Sequence, residues 1–210
     1  IDLDEVDGEK RQTEIRKEDR AVYLEWILWR AFLAIDSLVN PPSKARRFSV
    51  DQDFLPISCA PGGGPDMIFE FEDFVVVCEV TLTESSRQEA AEGEPVRRHV
   101  ADVARSYGPA KPVYGLFIAL RIDSNTAETF RIGSWYLPDD TRTVLDVVPI
   151  TLLHFRDFFE AIFKAGTIDA NHVKTLLDAC CEEREASGGA PIWKARIQDN
   201  IQSMIAGLSA

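Results

Sequence analysis

The sequence predicts an α/β fold in which a mixed β-sheet is flanked by helices, with additional helices at the C-terminal end. Two observations predict it: buried-strand patterns alternate with helical patterns along most of the chain, and only helical patterns follow residue 151. The 210 residues are 45% hydrophobic and 28% charged, which is enough for one domain with a full core. We therefore expect a single domain over 1–210, with a solvated lead-in at 1–17 and C-terminal helices at 151–210.

The charge and cysteine content exclude several classes of protein. The chain carries 35 acidic and 23 basic residues, a net charge of −12, which is the wrong sign for holding DNA by phosphate neutralisation alone. Its apolar runs are far shorter than the roughly 18–20 residues that span a bilayer, so no membrane association is expected. The four cysteines form no CxxC pair, which favours reduced thiols over disulfides or structural zinc.

The first half of the chain predicts one long helix followed by a hairpin. Aromatic and aliphatic residues at helical spacing indicate a nearly all-round buried helix over 18–39, which Asn40-Pro41-Pro42 ends. A basic turn, an extended stretch to Ile57 and a Pro/Gly-rich loop at 60–65 follow. Apolar, β-branched segments at 67–71 and 74–83 predict two strands joined by a tight turn.

The second half predicts strands that give way to helices. Residues 86–107 have helical composition, with Ser86 and Glu89 as a candidate capping box and with Pro95 as a kink or restart. Strands are expected at 113–120 and 147–150. The remaining helices are expected at about 152–164, 170–185 and 191–205.

The hairpin places two acids opposite each other. A symmetric turn between Glu72 and Asp73 pairs residues whose numbers sum to 145, so Asp66 faces Glu79. Two ionised carboxylates in a buried strand pair would repel each other and lose hydration, and a divalent cation between them resolves the conflict. The alternatives are solvation near a sheet edge and pairing with arginine.

Other polar residues interrupt apolar patterns. Glu25 is the only acid on a helical stripe with Leu28 and Trp29, which places it toward the core or a cleft, although pairing with an arginine is the commoner explanation. On a continuous helix Glu92 and His99 would lie on one face. A lone histidine there is by itself more often an ordinary imidazole.

These residues resemble a known signature. Pro65-Asp66, and then Glu79 followed by Thr81, is similar to the PD-(D/E)xK nuclease signature, with threonine in the usual lysine position. The longer string resembles the cleavage domain of the AlwI, MlyI and PleI family of type IIS restriction endonucleases and their strand-nicking relatives. It consists of Tyr23-Leu24-Glu25-Trp26, Arg30, Phe32, Glu79-Val80-Thr81-Leu82-Thr83, Gln88, Glu92-Gly93 and Val96-Arg97-Arg98-His99.

The resemblance implies a restriction-endonuclease-like fold, a single nuclease domain and a site. The implied catalytic residues are Glu25, Asp66, Glu79, Glu92 and His99. Mg²⁺ would bind Asp66, Glu79 and the carbonyl of Val80, since it prefers oxygen ligands. Because lysine is absent at Thr81, His99 or Glu92 is left to activate the water. The resemblance also implies phosphodiester hydrolysis to 5′-phosphate and 3′-hydroxyl ends. The candidate substrate contacts are Gln88, Arg97 and Arg98, and the two arginines are equally well explained as a solvated helix face.

The expected partners are double-stranded DNA and a recognition domain or large subunit, because the chain shows no basic helix that would read a groove. Transient dimerisation is one route to double-strand cleavage, and the expected location is the cytoplasm of a bacterium or archaeon. The triple glycine at 62–64 lacks a following Gly-Lys-Ser/Thr, so it is not a phosphate-binding loop. The alternative function, from a different class, is a non-catalytic interaction subunit of a restriction complex.

Overall fold

A computed structural model describes residues 5–6, 9–10, 15–35, 37–84, 86–166 and 168–208 of the chain. In chain order the strands and helices are β1 (Glu5–Val6), β2 (Glu9–Lys10), α1 (Arg20–Leu33), α2 (Pro42–Ala45), β3 (Ser49–Val50), β4 (Pro56–Ser58), β5 (Met67–Glu70), β6 (Val75–Thr81), α3 (Glu94–Tyr107), β7 (Val113–Ala119), α4 (Ser124–Ile132), β8 (Ser134–Tyr136), β9 (Arg142–Val144), β10 (Asp146–Thr151), α5 (Leu152–Ala165), α6 (Ala170–Ala186) and α7 (Ala190–Leu208).

A four-stranded mixed sheet forms the centre of the fold. Its strand order is β10-β7-β6-β5, in which β10, β7 and β6 are parallel and β5 is antiparallel to β6. The β5–β6 hairpin pairs Met67 with Cys78 and Glu70 with Val75. The residue numbers of each pair sum to 145, so the predicted register is confirmed. A mixed sheet flanked by helices, as predicted, is the fold of this chain.

Helices cover both faces of the sheet. One face carries Phe117, whose ring packs edge-on against Phe130 of α4, with ring centroids 5.3 Å apart. On the same face, α3 approaches so closely that a Cβ on Gly115 would lie 2.8 Å from Cγ2 of Val100. The other face carries Phe69 of β5, which stacks on Phe32 of α1 at 4.1 Å. Helix α5 packs on this second face.

The C-terminal helices complete the core. The predicted helices at 152–164, 170–185 and 191–205 are present as α5, α6 and α7 with ends that differ by at most three residues. Trp193 of α7 is fully buried, and its Nε1–H donates to the carbonyl of Cys180 on α6 at 2.8 Å. In the part of the chain that the structure describes, no helix is long and apolar enough to cross a membrane.

Several local predictions were wrong. Helix α1 ends at Leu33, well before the prolines, and Ile27 on it is 50% exposed, so α1 is amphipathic rather than buried all round. By contrast, the helix predicted at 86–107 is present over 89–107: it begins with a π-helical turn, Glu89–Gly93, and restarts as α3 with Pro95 in its first turn, one of the two outcomes predicted for Pro95. The carboxylate of Glu89 accepts a hydrogen bond from Thr129, so Ser86 and Glu89 form no capping box. Most of the lead-in at 1–17 lies outside the described residues.

Candidate active site

Asp66 and Glu79 are held side by side at the open end of the β5–β6 hairpin. The last ladder pair is Met67 with Cys78, so the next residues outward are Asp66 and Glu79, which the hairpin register brings together. Oδ2 of Asp66 accepts the N–H of Val80 at 2.9 Å. Among the described residues, we find no hydrogen-bond partner for the other carboxylate oxygen of Asp66. The predicted pair of facing acids is therefore present, with one oxygen of Asp66 available to a ligand.

Burial and neighbouring negative charge raise the pKa values of both carboxyls. Burial, and then the nearby charge of Glu79, raise the pKa of Asp66 to about 7. Burial also raises the pKa of Glu79, against the opposing effect of its hydrogen bond with His99. No arginine or lysine pairs with either carboxylate in the described part of the chain, which argues against the alternative of an ion pair with arginine.

His99 of α3 contacts Glu79 directly. Its Nδ1 lies 2.6 Å from Oε1 of Glu79, and both side chains are about nine-tenths buried. Nε2 of His99 is buried and has no hydrogen-bond partner among the described residues. When Nδ1–H donates to the carboxylate, Nε2 becomes an acceptor, as a proton-accepting or water-positioning group requires.

Glu25 approaches the site from α1. It is 5% exposed, and its Oε2 accepts the N–H of Ala60 at 2.8 Å. Burial raises the pKa of Glu25 to about 7, with a smaller contribution from the charge of Asp66. The prediction that Glu25 faces the core or a cleft agrees with this burial, and the effect of the Asp66 charge places Glu25 near the acid pair.

Glu92 also lies near the acid pair. It is on the π-helical turn that precedes α3, and its charge raises the pKa values of both Asp66 and Glu79. Glu25, Asp66, Glu79, Glu92 and His99, which four separate segments of the chain supply, are therefore collected at one end of the hairpin.

Gln88 binds backbone groups inside the protein and is not positioned to contact substrate, contrary to the prediction. Its side chain is fully buried, and Nε2 donates to the carbonyls of Thr83 and Arg121 at 2.7 and 2.9 Å. Its Oε1 accepts the N–H of Asp123 at 2.9 Å. The substrate-contact hypothesis for Gln88 is corrected on this ground, because a buried amide that binds three backbone groups has no surface for substrate.

Arg97 and Arg98 contact residues other than the two facing acids. Nε of Arg97 donates to the carbonyl of Gly93 at 3.0 Å, and its guanidinium lies 5.5 Å from the ring centroid of Trp135. Nε of Arg98 binds Glu94 at 3.0 Å on the same helix. Both bonds use Nε alone, so the other guanidinium N–H groups can still donate to a phosphate.

The donor set fits a hard divalent cation that keeps part of its water shell. Within the described residues, no three His, Cys, Asp or Glu side chains are arranged to enclose a metal by themselves. Mg²⁺ needs only one or two carboxylates and retains several waters, so Asp66 and Glu79 suffice as protein carboxylate ligands. Their mutual repulsion and the unpartnered oxygen of Asp66 are what a cation would relieve and occupy.

Cys59 is a site neighbour that the sequence analysis missed. It lies in the loop after β4, is exposed, and has a thiol whose pKa is raised by its partial burial and by the nearby charge of Glu25. No sequence signal identifies it, because its position depends on how the β3–β4 hairpin packs against α1. A second missed element is the loop that follows β7, which Gln88 fixes to the end of β6.

A mixed sheet with acids at one strand end and helices on both faces is a restriction-endonuclease-like fold. The chain belongs to the AlwI restriction endonuclease family, whose sequence profile matches residues 4–158. It is similar to the crystal structure of the small subunit (R.BspD6I2) of the heterodimeric restriction endonuclease R.BspD6I. The TM-score is 0.68 at 25% sequence identity, over 85% of this chain and 89% of that one. No curated protein matches the chain.

Proposed function

We propose that this chain is the Mg²⁺-dependent DNA-cleaving domain or subunit of a type IIS restriction or nicking endonuclease. The facing pair of Asp66 and Glu79, with His99 on Glu79, is the observation that carries the proposal. The reaction is hydrolysis of a phosphodiester bond to 5′-phosphate and 3′-hydroxyl ends. Membership of a restriction endonuclease family supports this function.

Asp66, Glu79 and the carbonyl of Val80 would hold the metal. Bound Mg²⁺ would supply positive charge at the phosphate and lower the pKa of a coordinated water. The hydrogen bond from the Val80 N–H to Asp66 fixes the neighbouring peptide beside the carboxylate. The hydrogen bond to His99 orients Glu79, as groups around metal ligands commonly do.

His99 takes the place of the missing lysine in this proposal. Its unpartnered Nε2 is the buried nitrogen that would accept a proton from water or position it. Glu25 and Glu92 border the acid pair and would hold ligand waters by hydrogen bonding. Arg97 and Arg98 would contact phosphate through the guanidinium N–H groups that Gly93 and Glu94 do not use.

Target recognition is assigned to a partner. The similar structure is a small subunit of a heterodimeric enzyme, and this chain has a net charge of −12. An acidic chain gains little from counterion release on DNA, so a recognition domain or large subunit would bring the scissile phosphate to the site.

The proposed function can be tested by replacing the recognition partner with a DNA-binding domain of known target. The full chain is joined by a flexible linker to a DNA-binding domain of known target, and a plasmid with that target is incubated with Mg²⁺. We expect strand breaks near the target that DNA ligase reseals, since ligase needs 5′-phosphate and 3′-hydroxyl ends. Asp66→Asn and Glu79→Gln should reduce the rate by about 100-fold or more.

Glu72→Gln changes an exposed acid at the opposite end of the same hairpin and should leave the rate unchanged. A fusion protein that occupies its target in a gel shift yet never cuts in Mg²⁺ would contradict the proposal. That result would favour the non-catalytic interaction subunit.

A further inference from the structure

A cleft of about 360 Å³ opens where β7 and β10 end. Its lining includes Arg121, Pro149, Thr151, His154, Lys194 and Gln198. None of the described residues that line it is acidic, although the chain has 35 acidic and only 23 basic residues. The cleft is therefore a local basic surface on an acidic protein.

The cleft is aligned with the acid pair across the sheet. In the parallel register Glu79 pairs with Phe117, and Phe117 pairs with Pro149, which lines the cleft. Residues paired in this way share a face of the sheet. Two strand spacings of about 4.8 Å put the backbone of Pro149 about 10 Å from that of Glu79.

Neither cation of the cleft forms an ion pair with an acid among the described residues. Arg121 is exposed, and in the part of the chain that the structure describes we find no acidic partner for its guanidinium. Nζ of Lys194 donates to the carbonyl of Ile122 at 3.1 Å and to Oγ of Ser124 at 3.0 Å, which are uncharged partners. By contrast, ion pairs with neighbouring acids occupy Arg98, Arg105 and Arg156.

Buried hydrogen bonds fix the cleft relative to the acid pair. The amide of Gln88 binds the carbonyls of Thr83 and Arg121 and the N–H of Asp123. Thr83 lies just beyond the end of β6, the strand that carries Glu79. The backbone of Arg121 is thus held at a constant distance from the strand that carries the acid.

We propose that this cleft binds a backbone phosphate of the DNA strand, with Arg121 and Lys194 as its cationic contacts. The inference rests on the proposed nuclease function and identifies a substrate-positioning site beside the acid pair. Consecutive phosphates of one strand rise about 3.4 Å along the duplex axis and lie at least that far apart, so a phosphate about 10 Å from the acid pair is at most about three nucleotides away. Three polar residues of the lining, Thr151, His154 and Gln198, offer further hydrogen-bond donors to phosphate oxygens.

The test compares Arg121→Ala and Lys194→Ala with Lys164→Ala. Lys164 is an exposed lysine near the far end of α5, about 20 Å along the helix from Thr151. Fluorescence anisotropy measures binding of the full chain to a labelled duplex in Ca²⁺ over a salt series. The tethered assay with Mg²⁺ measures the cleavage rate of the same variants.

We expect each cleft variant to weaken binding by about 5–10-fold at low salt and to reduce the slope of log affinity against log salt by about 1. The tethered cleavage rate should fall in the same variants, and Lys164→Ala should match the wild type in both assays. A wild type that cuts, with all three variants equal to it, overturns the cleft assignment and leaves the nuclease proposal intact. A wild type that neither binds nor cuts overturns both.

Discussion

At the scale of the residue, the proposed metal site consists of two carboxylates, Asp66 and Glu79, whose negative charges repel each other. Burial and the charge of Glu79 raise the pKa of Asp66 to about 7, and burial raises the pKa of Glu25 to about 7. Between about pH 4 and 7 the folded chain therefore holds more protons at these groups than the unfolded chain. Stability without metal should be highest at the acid end of this window and should fall as pH rises through 7.

The variant Asp66→Asn tests the predicted direction of this change of stability with pH. At pH 8 without metal, the substitution removes a charge that repels Glu79, so the free energy of unfolding should rise by about 1–3 kcal/mol. At pH 5, where the Asp66 carboxyl is protonated, the gain should nearly vanish. Urea unfolding at the two pH values in EDTA measures the difference, with Glu72→Gln as the exposed control. A variant that is less stable than the wild type at pH 8 would mean that Asp66 has a favourable ionic partner.

His99→Ala separates chemistry from metal binding. Because His99 contacts Glu79 through Nδ1 and leaves Nε2 unpartnered, its loss should slow single-turnover cleavage by about 100-fold. Mg²⁺ affinity should change much less, since imidazole is not a preferred ligand of this cation. Calorimetric titration beside the tethered assay gives both quantities. A wild-type rate in His99→Ala would remove the imidazole from the mechanism.

At the scale of the element, the sequence predicted what short-range patterns determine. The position of the two-residue turn, Glu72-Asp73, determines which residues of the hairpin pair. Each step away from the turn adds one residue on each strand, and this counting leads to Asp66 opposite Glu79. The three C-terminal helices were found because each repeats apolar residues at helical spacing over 14 or more residues. These patterns, together with the family resemblance, indicated the five candidate site residues Glu25, Asp66, Glu79, Glu92 and His99.

What the sequence did not predict depends on tertiary contacts. The β3–β4 and β8–β9 hairpins have strands of two or three residues, which are too short for a periodic pattern. Helix α4 has nine residues and was missed for the same reason. Gln88 has the residue type of a substrate contact, and only the position of the loop after β7 shows that its partners are backbone groups.

Gln88→Ala tests the structural role of that amide. The variant leaves the carbonyls of Thr83 and Arg121 and the N–H of Asp123 without their buried partner, so the chain should lose about 2–4 kcal/mol of unfolding free energy. Urea denaturation measures the loss. Gln198→Ala, an exposed glutamine, should change stability by less than about 0.5 kcal/mol. Equal stabilities of the two variants would contradict the structural role.

At the scale of the whole molecule, charge limits what the chain does alone. With a net charge of −12, it should bind duplex DNA weakly and without sequence preference. Divalent ions should strengthen this binding because they neutralise the carboxylates, and monovalent salt should weaken it. Gel shifts with a target and a scrambled duplex, with and without Ca²⁺, test this. Nanomolar, sequence-selective binding by the chain alone would require a recognition surface within these 210 residues.

The proposed function requires that Asp66 and Glu79 together bind one metal ion. The most direct measurement is a crystal structure of the full chain soaked in Mn²⁺, with an anomalous difference map that locates the ion. We expect a peak between the two carboxylates, within ligand distance of both, and the loss of that peak in Asp66→Asn. A map with no peak at this pair, at Mn²⁺ concentrations that support cleavage, would contradict it.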